Sequence, residues 1–239
     1  KEPDATHLDL HKLRIDRAMA MEIIRIGVPA GLQGMAFSLS NVVVQSSINS
    51  FGSSVIVAGN SASNNIENFV YIGMSAFTQA CITFTSQNVG AQNLKRVKSI
   101  FNHSMVLTTL SAMLMGFLVW FFGESLLAFY TSDPAVVEAG MLRLFWVSMF
   151  LFLNGILDVF VSSLRGMGYS SLPTIVMLVG ICGVRLLWLL LIFPMHRTLT
   201  TIYLCFPLSW TITSVVLGFI WLYCYRHMLR TNGQQAQNA

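Results

Sequence analysis

A helix that crosses a bilayer needs about 20 apolar residues in succession, and this chain supplies blocks of that order one after another, with its charges crowded between them. No other feature restricts its fold as strongly. Hydrophobic residues make up 54% of the 239 and charged residues only 10%. A soluble domain carries roughly 25% charged residues, so this chain lacks the charge to coat a water-facing surface. Strand periodicity is absent, which argues against a barrel. The fold class is therefore all-α and integral to the membrane.

Six spans are expected. They run from about Val28 to Ser50, Val55 to Ser86, Val106 to Phe122, Leu144 to Leu164, Leu172 to Phe193, and Ile202 to Tyr225. The first two are rich in Ser, Asn, Gln and Gly, and a span that polar borders protein or a wet cavity rather than lipid all round. Residues 1–26 read as a polar linker or as an amphipathic surface helix, with Leu8, Leu10, Leu13, Ile15, Met19 and Ile23 at near-helical spacing. Residues 27–226 form the membrane unit and 227–239 a polar tail. The first residue is Lys1 and no secretory signal is visible, which suggests a piece of a longer chain.

Orientation follows from the basic residues. Eleven Lys and Arg, from Lys1 to Arg25, Lys95 to Lys98, Arg165, Arg226 and Arg230, fall on one side. Only Arg143 and Arg197 fall on the other, and Arg185 lies within the fifth span. Positive charge stays cytoplasmic, so both termini are expected in the cytoplasm, in accord with an even number of spans. The net charge of +4 forms no single patch and gives no nucleic-acid signal.

Three ionisable residues lie well inside spans: Glu67, Asp158 and Arg185. A charge at a span centre costs roughly 2.5–3.5 kcal/mol on insertion scales and usually marks an ion or substrate path. Each acid sits on a polar helical face. Asn60, Asn64, Tyr71, Ser75 and Thr78 share the face of Glu67. Asn154, Ser162 and Arg165 share that of Asp158, and Asn41, Gln45 and Asn49 make a stripe on the first span. Three such stripes point to a shared interior cavity lined by Asn41, Gln45, Asn64, Tyr71 and Asn154. Two acids against one arginine leave an acid over, and an unpaired buried carboxylate readily takes up a proton or a cation. Helix rise favours a Glu67–Arg185 pair with Asp158 left free, although helix tilt leaves the reverse open.

Several segments resemble the multidrug and toxic compound extrusion (MATE) family. Ile26 to Gly52 is similar to its seventh helix, Phe84 to Lys98 to the loop after the eighth, and Ser162 to Pro173 to the loop after the tenth. The resemblance spans about residues 20 to 228. It implies one six-helix lobe, the second, of a twelve-helix exporter in the plasma (cell inner) membrane. It further implies antiport of organic cations against sodium ions or protons, without a cofactor, and an N-terminal lobe as partner. The family's usual acid eleven residues before the Arg of the Leu164–Arg165–Gly166 motif is Asn154 here, with Asp158 one turn later. Its acid in the seventh helix has no counterpart. Glu67 and Asp158 stand as substitutes, with Arg185 tuning one of them.

Other readings carry less. A flippase for lipid-linked saccharides should have a more cationic cavity than one arginine provides, and a structural protein should fill the space between the stripes. No nucleophile–base set, phosphate loop or metal-ligand spacing suggests an enzyme. Cys81, Cys182, Cys205 and Cys224 read as packing residues, and Trp188, Trp210 and Trp221 as lipid or interface anchors.

Overall fold

The structure, a computed structural model, describes residues 16–237. Residues 1–15 of the expected amphipathic segment, with Leu8, Leu10, Leu13 and Ile15, lie outside the described residues. Among the described residues there is no strand, and helices arrange into six long stretches. The first is α1 (Arg17–Asn49), opened by Asp16, whose carboxylate accepts from the Ala18 and Met19 amides at 2.7 and 3.1 Å. This side chain satisfies amides that a helix start leaves without intrahelical acceptors. Helix α1 runs without a break past residue 26. A turn with Gly52 at φ +66° leads to Ser53, which caps α2 (Ser54–Gly90). Then follow α3 (Leu94–Phe121) and the short α4 (Gly123–Ala128).

The fourth stretch is composite. Asp133 caps α5 (Pro134–Arg143), which has Pro at its first position, where a missing N–H costs nothing. A π-helical segment, Leu144–Ser148, follows directly, and α6 (Leu151–Gly166) completes the stretch. The fifth is built the same way: α7 (Ser171–Met177), a π segment Leu178–Gly183, and α8 (Val184–Leu191). The sixth is α9 (Leu199–Gln237).

The stretches from Leu94, Pro134, Ser171 and Leu199 are long and apolar enough to cross a membrane by length and composition. Helices α1 and α2, expected as the first two of six spans, are not among these four candidates in the described residues; their Ser, Asn and Gln content lowers their hydropathy. Most helices outrun the apolar blocks that mark them. Helix α3 begins at Leu94 rather than near Val106, and so includes Lys95, Arg96 and Lys98. Hydropathy detects only the bilayer-compatible part of a helix, while backbone hydrogen bonding continues into polar sequence.

Helix α2 packs against α3, α5 and α6; α6 packs on α3 and α9; α1 lies against α7 and α8. Val70, Leu157, Leu164, Ile202 and Leu217 are fully or almost fully buried between them. Phe69, Ile72, Leu110, Leu114, Phe121 and Phe219 point outward and are exposed. An apolar outer surface with a polar interior is the arrangement a bilayer selects, because lipid provides no partners for polar groups.

Two of the expected interface tryptophans face inward instead. Trp210 and Trp221 are each 4% exposed. The Trp221 indole donates to Ser163 Oγ at 2.8 Å and stacks on Phe101 at 4.0 Å between ring centroids. An indole N–H that finds an acceptor on a neighbouring helix no longer requires the interface. The four cysteines are free and buried.

Candidate functional site

The polar faces of α1, α2 and α6 converge on one cavity of about 840 Å³. Asn41, Gln45, Asn64, Tyr71, Asn154, Glu67, Asp158 and Arg185 all line it. The space expected to be filled in a purely structural protein is open.

The cavity wall is built from the backbone outward at the α2–α5 contact. A Cβ on Gly59 would lie 2.7 Å from the Val136 carbonyl oxygen and 2.8 Å from the Gly140 amide nitrogen. Ser63, one turn further, donates to both the Gly59 and Gly140 carbonyls at 2.9 Å. Small residues let two helices approach closely in a membrane, and this approach brings Glu67 of α2 within reach of Arg143, the last residue of α5. Arg143 NH2 lies 2.7 Å from Glu67 Oε2, and Nε donates to both carboxylate oxygens at 3.1 and 3.3 Å. Arg143 also donates to Asn60 Oδ1 at 2.6 Å and Asn64 Oδ1 at 3.0 Å. The network continues into α1: Asn60 Nδ2 donates to Gln45 Oε1, and Gln45 Nε2 to Asn49 Oδ1, both at 2.9 Å.

This geometry corrects two expectations. Glu67 pairs with Arg143, not with Arg185. Arg143, placed in an outer loop by hydropathy, is 5% exposed and central to the cavity wall. The missed signal was spacing. Arg143 precedes Asn154 by eleven residues, about three helical turns, and extends the stripe that ends at Arg165. The π segment directly after Arg143 interrupts that register.

Asp158 occupies the other end of the cavity and is partly exposed to it. Asn154 Nδ2 donates to its Oδ2 at 3.2 Å. Tyr71 and Arg165 line the cavity with it. Arg185 is 4% exposed and meets no carboxylate within ion-pair distance among the described residues. Its Nε donates to Ser209 Oγ at 3.2 Å, and its guanidinium lies 4.3 Å from the Phe206 ring centroid. Three guanidiniums and two carboxylates therefore line the cavity. The surplus is a cation rather than the acid that the sequence count suggested, because Arg143 and Arg165 join the site. No group of three or more potential metal ligands occurs among the described residues.

An all-α membrane lobe, with a cluster of arginines and carboxylates lining an interior cavity, is the class of protein that this fold and site define. The MatE family model matches residues 29–190, and the chain belongs to that family. Among its relatives, the probable multidrug resistance protein NorM of Thermotoga maritima is 26% identical over 165 residues, covering 69% of this chain and 35% of that protein. The probable multidrug resistance protein YpnP of Bacillus subtilis is 28% identical over 128 residues, covering 54% of this chain and 28% of that protein. The fold is similar to a crystal structure of MATE in complex with MaL6, with TM-score 0.80 and 14% identity, over 93% of this chain and 50% of the other. The chain thus spans about a third of its curated relatives' length and half of the solved chain.

Proposed function

We propose that this chain is one lobe of a secondary active exporter for small organic molecules, driven by antiport of sodium ions or protons in the plasma (cell inner) membrane. Its partners are the bilayer and a second lobe, both termini are cytoplasmic, and no cofactor or enzymatic step is involved. The relatives named as multidrug resistance proteins support that class of cargo.

One observation carries the coupling role: the two cavity carboxylates differ in what holds them. Glu67 is bound by three hydrogen bonds from one guanidinium. Asp158 borders the cavity with a single amide, that of Asn154, donating to it. Asp158 is the carboxylate that can exchange its partners for a proton, a sodium ion or an organic cation, while Glu67–Arg143 holds the wall. Asn41, Gln45, Asn64, Tyr71 and Asn154 provide neutral hydrogen-bonding surface for cargo. The test is gradient-driven efflux from membrane vesicles carrying the full-length protein. Asp158→Asn should abolish the dependence on the ion gradient; unchanged efflux in the Glu67→Gln/Asp158→Asn double variant refutes the coupling role.

A flippase reading gains from the same cavity, since three guanidiniums line it where one was expected. Binding of a pyrophosphate-linked lipid to the full-length protein would favour that reading over the exporter.

A further inference from the structure

We infer that Arg185 is an oxyanion subsite, at which its guanidinium fork takes a carboxylate or phosphate group of the molecule carried. This deepens the transport reading above and rests on it.

The two deeply buried arginines of the cavity are satisfied very differently. Arg143 spends Nε, NH1 and NH2 on Glu67, Asn60 and Asn64. Arg185 spends Nε alone, on Ser209. A guanidinium has five N–H donors and does not lose its charge. The four N–H groups on NH1 and NH2 of Arg185 therefore have no protein acceptor among the described residues. This side chain lines an open cavity yet is 4% exposed. Buried cations are ordinarily paired or hydrogen-bonded in full.

The surroundings hold the charge in place without neutralising it. The guanidinium carbon lies 4.3 Å from the Phe206 ring centroid and 5.9 Å from that of Trp210. Aromatic faces attract a cation and leave the edge of the fork open. Arg143 approaches the same Phe206 ring at 5.6 Å, so positive charge flanks the ring from a second direction. With Glu67 committed to Arg143 and Asp158 beside Arg165, the positive surplus falls at Arg185. A planar fork matches the two oxygens of a carboxylate or phosphate. Phe206 and Trp210 offer apolar surface to the organic body behind that group, and a volume near 840 Å³ suits a small organic molecule. Arg185 is also the second residue after the π segment Leu178–Gly183, just as Arg143 immediately precedes the other one. Single π turns inside α-helices occur frequently at functional sites.

The test is calorimetric titration of the full-length protein in phosphatidylcholine nanodiscs, with no ion gradient. The probes are 2-naphthoate, 2-naphthyl phosphate and the neutral 2-naphthamide. Both anions should bind at least about tenfold tighter than the amide, as expected for charge-assisted bonds. Arg185→Gln should bring the anions down to the level of the amide. Arg185→Lys, which keeps the charge and loses the fork, should retain part of the preference and serves if the Gln variant does not fold. Repeating the titration in phosphatidylglycerol nanodiscs separates two sources of the oxyanion. Weaker naphthoate binding there, dependent on Arg185, means that a lipid headgroup competes for the fork; equal binding assigns the fork to the soluble molecule. The proposal is overturned if the anions bind no tighter than the amide, if none of the three binds, or if Arg185→Gln weakens all three alike. Because binding is read without a gradient, loss of ion coupling in the vesicle experiment would leave this outcome intact.

Discussion

Arg143 and Glu67 lie 76 residues apart in the chain and meet at 2.7 Å, joining the end of α5 to the middle of α2 inside the membrane unit. Removing one member of a buried pair leaves the other charge uncompensated and costs about 3–5 kcal/mol, whereas replacing both costs far less. Arg143→Met alone and Glu67→Gln alone should each lower the thermal midpoint of the purified protein sharply. The double variant should recover most of the loss. A double variant as unstable as the sum of the singles would mean that the pair is not the coupled unit seen here.

Asn154 donates to Asp158, and Tyr71 lines the same cavity. Tyr71→Phe tests whether the phenol acts on that carboxylate, since a hydrogen bond to a charged group is worth about 1.5–3 kcal/mol. The ion concentration for half-maximal efflux should shift by roughly tenfold or more, downward for protons because the ionised carboxylate loses a stabilising neighbour, with folding unaffected because Tyr71 is exposed to the cavity. Efflux measured across a series of sodium concentrations and pH values checks this. An unaltered ion dependence argues that the phenol does not act on Asp158.

Close approach of α2 to α5 depends on Gly59. Gly59→Val would force atoms against the Val136 carbonyl and should cost about 1–3 kcal/mol, the usual penalty of overpacking. Gly73 on the same helix has nothing within 4 Å of an added Cβ. Gly73→Ala should be neutral or stabilising by up to about 1 kcal/mol, from helix propensity alone. Thermal denaturation of the two variants side by side decides whether this helix contact is as tight as described.

Trp221 tests the inward-facing tryptophans. Trp221→Phe keeps much of the stack on Phe101 but leaves Ser163 Oγ, fully buried, without its donor. A loss of about 1–3 kcal/mol is expected. An interface anchor would tolerate the change, and would instead respond to bilayer thickness in a reconstitution series.

The polar stripes were legible because helical period is local. Asn60, Asn64, Glu67 and Tyr71 share a face whatever the rest of the chain does, and so do Asn154 and Asp158. All eight residues singled out from those stripes and from the buried charges line the cavity. Arg143 was overlooked despite its spacing, since a window of hydropathy ends where a charge begins. Its partner lies on another helix, and the turn that follows it is π rather than α. The direction of Trp210 was hidden for a related reason: an aromatic on an apolar helix reads the same whether it faces lipid or a cavity.

The sequence by itself determined an all-α membrane protein, the polar character of its first two long helices and the residues that would face an interior. Those properties follow from the free energy of placing each side chain in lipid or in water, which depends on local composition and period. Tertiary structure alone decided the pairing of Glu67 with Arg143 and the surplus of cation over acid around the cavity. It also decided that Arg185 meets rings and a hydroxyl rather than a carboxylate. Charge pairing is set by distances of a few ångströms between helices far apart in the chain, and those distances depend on small-residue contacts and π turns that no local window contains.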